Sequence, residues 1–141
     1  MRQAAANWIL KNDAEPYLPL FMFDKTKGHF IGGTGFHHLN WDIPCVEIGY
    51  WIRNQCKGQG LMTEAVNALT LYAINQLGVK RIEIRCDINN VRSKKIPERL
   101  GYHLEATLKS NRVQPLSGIP SDTLVYVRHT LEGLPDLSGN K

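Results

Sequence analysis

Cysteine is scarce and unpaired in this sequence. Cys45, Cys56 and Cys86 are the only three, no two of them stand at C-x-x-C spacing, and an odd number argues against a closed disulfide framework. They read as reduced thiols packed as small apolar groups. No apolar run approaches the ~18 residues of a membrane span. Met1-Arg2-Gln3-Ala4 is not followed by a signal-peptide core, so a cytoplasmic protein is expected. Histidine and cysteine never fall at ligand spacing; His29, His37 and His38 read as surface or packing residues, and no metal is expected. There is no internal repeat and no low-complexity segment. Charge of neither sign dominates: 17 Lys and Arg stand against 13 Asp and Glu, a net +4. Without a basic stripe interleaved with aromatics, direct nucleic-acid binding is not expected.

What is present is an ordinary globular composition, 43% hydrophobic and 21% charged over 141 residues, enough for one domain with its own core. We expect that domain over residues 1–131 and a flexible tail over 132–141. Residues 3–10 have helix composition, stopped by Asp13-Ala14-Glu15-Pro16. Residues 17–23 and 30–39 form a hairpin around Asp24 and Gly28, and 45–52 is a third strand. Met62, Ala65, Val66, Leu69, Ala73 and Leu77 recur at helical spacing over 61–77, with Gly78 as the stop. Ile82, Ile84, Cys86 and Ile88 alternate with Arg81, Glu83, Arg85 and Asp87, the period of a half-buried strand. A short helix over 91–100 ends at Gly101, and strands follow at 102–108 and 122–131. Residues 109–121, with two prolines and a glycine, read as a long loop of the functional kind. The order describes an α/β domain with a mixed sheet.

The segment Gln55-Cys56-Lys57-Gly58-Gln59-Gly60 joins the third strand to the long helix. A glycine-rich turn there aims backbone N–H groups and the helix dipole at an anion, and glycine lets the backbone approach it closely. The spacing is neither G-x-x-x-x-G-K-[ST] nor G-x-G-x-x-G, which disfavours nucleoside triphosphates and dinucleotides in their usual folds. Arg53 and Lys57 flank the turn, and Arg92, Lys94 and Lys95 cluster further on.

Gln55-x-x-Gly58-x-Gly60 matches the [QR]-x-x-G-x-[GA] signature of the GNAT superfamily of N-acetyltransferases. Glu47-Ile48-Gly49-Tyr50-Trp51-Ile52 precedes it, Met62-Thr63-Glu64-Ala65 follows it, and Asn90-x-x-Ser93 leads to Glu98-Arg99-Leu100-Gly101-Tyr102. With these, the chain resembles the branch that acetylates ribosomal-protein N-termini, over residues 30–102. The resemblance implies the acyl-CoA N-acyltransferase fold, a mostly antiparallel mixed sheet with one splayed parallel pair and flanking helices. It implies acetyl-coenzyme A as cosubstrate, its pyrophosphate on Gln55, Cys56, Lys57, Gly58, Gln59 and Gly60. The pantetheine arm would lie between the strands at 45–52 and 79–88, against Trp51, Ile52, Leu61, Met62, Asn90 and Ser93. The acceptor is an amine: a protein N-terminus, a polyamine, an aminoglycoside or another small amine. A coenzyme A binding module without catalysis, or a ribosome- or tRNA-associated protein, are the alternatives from other classes.

Glu47 is one carboxylate in an otherwise apolar strand, and reads either as the general base or as the partner of an ion pair with a residue such as Arg85. An α-amine, with a pKa of ~7.7 to 8, asks less of a base than a lysine at ~10.4. A strand N–H within 50–52 is placed to meet the oxyanion. Many superfamily members carry a tyrosine seven residues after the asparagine to serve the leaving thiolate; this chain has Pro97 there. Ser93 matches the serine of the ribosomal-protein branch, and the resemblance implies it as the partner of the thiolate, with Tyr102 a weaker substitute. Pro97 also cannot donate to the carbonyl of Ser93, four residues back, which is freed. Cys56 has no histidine partner in the sequence, and direct attack by the amine needs no covalent intermediate. In the family a further strand and helix precede the point where this chain begins. Their absence is expected to give a shortened protein, a more open acceptor site, or a sheet edge covered by a second subunit in a homodimer.

Overall fold

The computed structural model describes residues 17–56, 58 and 60–134. The helix expected over residues 3–10, Lys57 and Gln59, and the tail from residue 135 lie outside the described residues. Six strands make one sheet: β1 (Tyr17–Phe23), β2 (Phe30–Asn40), β3 (Cys45–Ile52), β4 (Arg81–Asp87), β5 (His103–Val113) and β6 (Pro120–Arg128). The spatial order is β1-β2-β3-β4-β6-β5. All neighbours are antiparallel except β3 and β4, which the crossover through α1 (Leu61–Asn75) makes parallel. A second helix, α2 (Val91–Arg99), connects β4 to β5.

Period-2 patterning assigns the faces. Val46 and Ile48 of β3, Ile82 and Ile84 of β4, and Phe36 of β2 point to one side. There they are buried with Met62, Val66, Leu69 and Ala73 of α1 and with Leu100 beyond α2. Each such aliphatic side chain contributes about 1.5–3 kcal/mol on leaving water. The intervening Glu47, Glu83 and Arg85 face the other way, as alternation requires.

The parallel ladder is short. Its register runs Cys45↔Arg81, Val46↔Ile82 and Glu47↔Glu83, and among the described residues it goes no further, while β3 continues on β2 to Ile52↔Gly32. Beyond Glu47 the two strands diverge and leave a wedge between them, the splayed pair of the acyl-CoA N-acyltransferase fold.

One expected element is different. Residues 109–121 are not a long loop: β5 continues to Val113, β6 begins at Pro120, and only a tight turn separates them. A register shift between Leu108 and Arg112 absorbs the polar stretch. There Ser110 sits at φ 49 and donates its N–H to Asp122 Oδ1 at 2.8 Å, while Lys109 Nζ lies 3.2 Å from Asp122 Oδ2. The bulge breaks the apolar alternation, so the strand is invisible to periodicity. Pro120 takes the first position of its strand, where a missing donor is tolerated.

Candidate active site

The turn between β3 and α1 puts two glycines in the left-handed region, Gly58 at φ 82 and Gly60 at φ 73. Gly60 is the N-cap of α1, and no side chain bonds to the cap. Glu64 N–H donates to the Gly60 C=O at 3.1 Å, so the amides of Leu61, Met62 and Thr63 precede the helical ladder. A Cβ on Gly58 or Gly60 would meet nothing within 4 Å. The turn is thus an open cradle of amide donors at the positive end of a four-turn helix, without the carboxylate or hydroxyl that usually caps one.

That cradle opens into a cleft of about 540 Å³ between the end of β3 and α2. Of the residues singled out from the sequence, Trp51, Ile52, Cys56, Gly58, Gly60, Leu61, Met62, Asn90 and Ser93 line it together. Gln55 is exposed on the 3-10 turn Asn54–Cys56 and is not among the lining residues. The cationic side is shifted from expectation. Arg92, Lys95 and Arg99 of α2 line the cleft, Lys94 does not, and Arg53 donates to the Phe30 carbonyl at 3.1 Å. The resulting field favours an anion at the glycine end.

The wall facing β3 is the first turn of α2. Asn90 is its N-cap and accepts the N–H of Ser93 at 3.0 Å, which fixes the backbone of Ser93. The side chain of Tyr50 reaches across the cleft: its hydroxyl donates to the Ser93 carbonyl at 2.8 Å and stands 3.4 Å from Ser93 Oγ. Burial pushes the Tyr50 phenol well above its usual range, so it keeps its proton. Tyr102 is not available to the cleft. Its hydroxyl is buried against Thr70 Oγ1 at 2.6 Å, beneath α1.

Glu47 lies on the opposite face of the sheet, in a second depression of about 340 Å³ formed with His38, Asn40, Ile43, Cys45, Glu83 and Arg85. The ion pair considered from the sequence is made elsewhere: Arg85 Nε bonds Glu83 Oε1 at 3.1 Å, and Arg81 Nε takes Glu83 Oε2 at 3.1 Å. The neighbour of Glu47 is instead His38, with Nε2 at 3.9 Å and its side chain 81% exposed. A register shift between His37 and Asn40, with His38 at φ 52, turns that ring towards the carboxylate. Glu47 retains 22% of its side-chain exposure. Burial raises its carboxyl above the ordinary value, and the charges of His38 and Arg85 pull it partly back.

A stability test follows with a definite sign. In the window between the unfolded and the raised folded pKa, the folded state binds more protons than the unfolded one, so this group makes stability fall as pH rises through it. Glu47→Gln does not titrate. Its urea midpoint should exceed that of the parent at pH 8, and the difference should shrink towards zero below about pH 4. A difference independent of pH would mean that Glu47 is not held in its raised state.

Comparison with known proteins gives the same direction. Residues 1–103 match the family described as the acetyltransferase (GNAT) domain. The ribosomal-protein-serine acetyltransferase of Escherichia coli is 30% identical over 112 residues, 79% of this chain and 61% of that protein. Among solved structures, the microcin C7 self-immunity acetyltransferase MccE, in complex with acetyl-CoA and AMP, is 28% identical with a TM-score of 0.72. It covers 89% of this chain and 67% of its own. RimL, the ribosomal L7/L12 α-N-protein acetyltransferase in complex with coenzyme A, has a TM-score of 0.77 over 92% of this chain and 71% of its own. At 22% identity its likeness is one of fold. The chain spans 53% to 61% of the length of the first two curated relatives it matches.

Proposed function

The chain belongs to the GNAT family of acetyltransferases, and from that premise we propose that it transfers an acetyl group from acetyl-coenzyme A to a primary amine, the α-amine of a protein N-terminus. The observation that carries this reading is the helix start at Gly60: amides without a side-chain cap, two left-handed glycines, and a cleft that leads from them between β3 and α2. These features fit a diphosphate followed by a narrow amide-bearing arm, and the cleft volume falls within the ~300–1,000 Å³ of small-molecule sites.

In this reading Gly58, Gly60, Leu61 and Met62 hold the diphosphate through backbone N–H groups, joined by Gln55, Cys56, Lys57 and Gln59 of the same signature. Arg92, Lys95 and Arg99 supply counter-charge. The strand edge at Trp51 and Ile52, unpaired on its β4 side, pairs with the amides of the arm, which buried orphan backbone groups require. Asn90 and Ser93 form the opposite wall. The acceptor enters from the Glu47 depression. Its nitrogen attacks the thioester carbonyl, Glu47 takes the surplus proton, the C–S bond breaks, and the Ser93 hydroxyl hydrogen-bonds the departing thiolate. The modest basicity of a carboxylate suits an α-amine, and the name of the Escherichia coli relative supports the same acceptor class.

The test is thiol release from acetyl-coenzyme A with peptides bearing free N-termini, polyamines and aminoglycosides. Peptides should turn over fastest. Ser93→Ala should lower kcat about tenfold to a hundredfold with little change in KM for the thioester, as a lost transition-state hydrogen bond does. Glu47→Gln should remove the acid limb of the pH profile, whose position lies above the ordinary carboxylate range because burial raises this group. Faster turnover of a polyamine would reassign the acceptor, and binding without turnover of any amine would leave a coenzyme A binding module.

A further inference from the structure

We propose that Tyr50 and Pro97 form a matched pair that positions Ser93, and that Tyr50 is the strut setting the width of the cleft between β3 and α2. Three observations meet here. Pro97 lies inside α2, buried, and has no N–H to give the carbonyl four residues back, which belongs to Ser93. The hydroxyl donating to that carbonyl, at 2.8 Å, comes from Tyr50 on β3, the strand across the cleft. The oxygen of the same hydroxyl lies 3.4 Å from Ser93 Oγ.

The geometry allots the protons. Tyr50 has one hydrogen, and the Ser93 carbonyl holds it. What Tyr50 offers Ser93 Oγ is therefore a lone pair, so the serine hydrogen is drawn to it in the resting protein and must turn into the cleft to meet a developing thiolate. Tyr50 is not itself the acid, since releasing its proton would leave a phenolate in a site that disfavours it and would orphan the carbonyl again. Ser93 is thereby held at three atoms: its N–H by Asn90 Oδ1, its C=O by Tyr50 Oη, and its Oγ beside the same oxygen. A proline in mid-helix, unfavourable alone, becomes the reason that a strand on the far side of the cleft can grip the helix. This assignment rests on the reading that Ser93 serves the leaving thiolate, but the Tyr50 and Pro97 pairing does not.

Two cycles of variants separate these parts. In the first, Tyr50→Phe, Pro97→Ala and the double variant are compared by thermal unfolding. Tyr50→Phe leaves the carbonyl of Ser93 without a donor and should lower the midpoint by about 3 °C or more. With Pro97→Ala present, the new N–H bonds that carbonyl, and the same change should cost less than half as much. Equal losses in both backgrounds would overturn the pairing, whatever the enzyme does. In the second cycle, Tyr50→Phe should lower kcat about tenfold with KM for acetyl-coenzyme A changed less than threefold, and should lower kcat less than twofold in a Ser93→Ala background. The stability loss should persist there, because the carbonyl is backbone. A tenfold fall in kcat in both backgrounds would show that Tyr50 acts without Ser93. No turnover in the parent would count against the transferase reading and leave the first cycle to decide the pairing.

Discussion

Replacing Gly60 by valine is expected to weaken coenzyme A binding more than a hundredfold while the protein still folds. Gly60 stands at φ 73 as the N-cap of α1 and lines the cleft. An L-residue in that region costs about 1–2 kcal/mol, more for a β-branched one. Because a Cβ there would touch nothing within 4 Å, no steric collision adds to the strain. A domain with about 5–15 kcal/mol of stability survives such a loss. The effect on binding is larger because the open space is where a phosphate would approach the amides of the first turn. Losing two charge-assisted hydrogen bonds at about 1.5–3 kcal/mol each corresponds to a hundredfold or more in Kd. Gly118 is the matching control. It sits at φ 70 with equally empty surroundings, but in the β5–β6 turn. Gly118→Val should cost similar stability and leave the calorimetric Kd unchanged. If both variants bound within threefold of the parent, the cradle at Gly60 would not hold the diphosphate.

The contrast between Gly60 and Gly118 bears on how much could be read before the fold was known. The alternation of Ile82, Ile84 and Cys86, the helical spacing from Met62 to Leu77, and the glycines punctuating both were legible because each is a local consequence of backbone period. Gly78 marks the end of α1 as expected, though the last helical residue is Asn75 and Gly78, at φ 70, lies in the turn beyond. The polar stretch around Ser110 was not legible as strand, since its pairing depends on Asp122 in the neighbouring strand rather than on any pattern of its own. Pro97 could be read as freeing a carbonyl, but nothing near it names the donor. Tyr50 is 43 residues from Ser93 and sits in its strand as one more aromatic in an apolar run. Lone polar atoms on apolar side chains find their partners through topology, and topology is what a single sequence states least directly. The neighbour of Glu47, His38, was not legible either, because a bulge turns that ring.

Arg128 was invisible for the same reason, and its replacement should have the largest effect on stability. It ends β6, is 6% exposed, and spends its guanidinium entirely on backbone carbonyls. Nη1 bonds Leu100 and Gly101 at 2.8 and 3.0 Å, Nε bonds Thr130 at 2.7 Å, and Nη2 bonds Glu132. The Leu100 and Gly101 carbonyls close the C-terminal end of α2, so the cation also meets the negative end of that helix. Gly101 makes room for it: at φ 75, a Cβ there would stand 2.6 Å from Nη1. Arg128→Met keeps much of the volume, removes the charge and leaves the buried Leu100 carbonyl and three part-buried ones without their donor. Such groups cost about 1–3 kcal/mol each when orphaned, so a loss of about 3–5 kcal/mol is expected by urea unfolding, or roughly 10 °C in midpoint. Arg128→Lys should recover less than half of it, because one ammonium cannot bond along the two directions of a planar fork at once. A guanidinium stays charged at all accessible pH, so the loss should be constant between pH 5 and 9, unlike the pH-dependent gain of Glu47→Gln. It should also reach the cleft: α2 carries Asn90 and Ser93 at its other end, and a helix loosened at Leu100 holds Ser93 less firmly against Tyr50. Full rescue by lysine, or a loss below about 1 kcal/mol, would mean that the carbonyls find water instead and that Arg128 is not the clasp of α2.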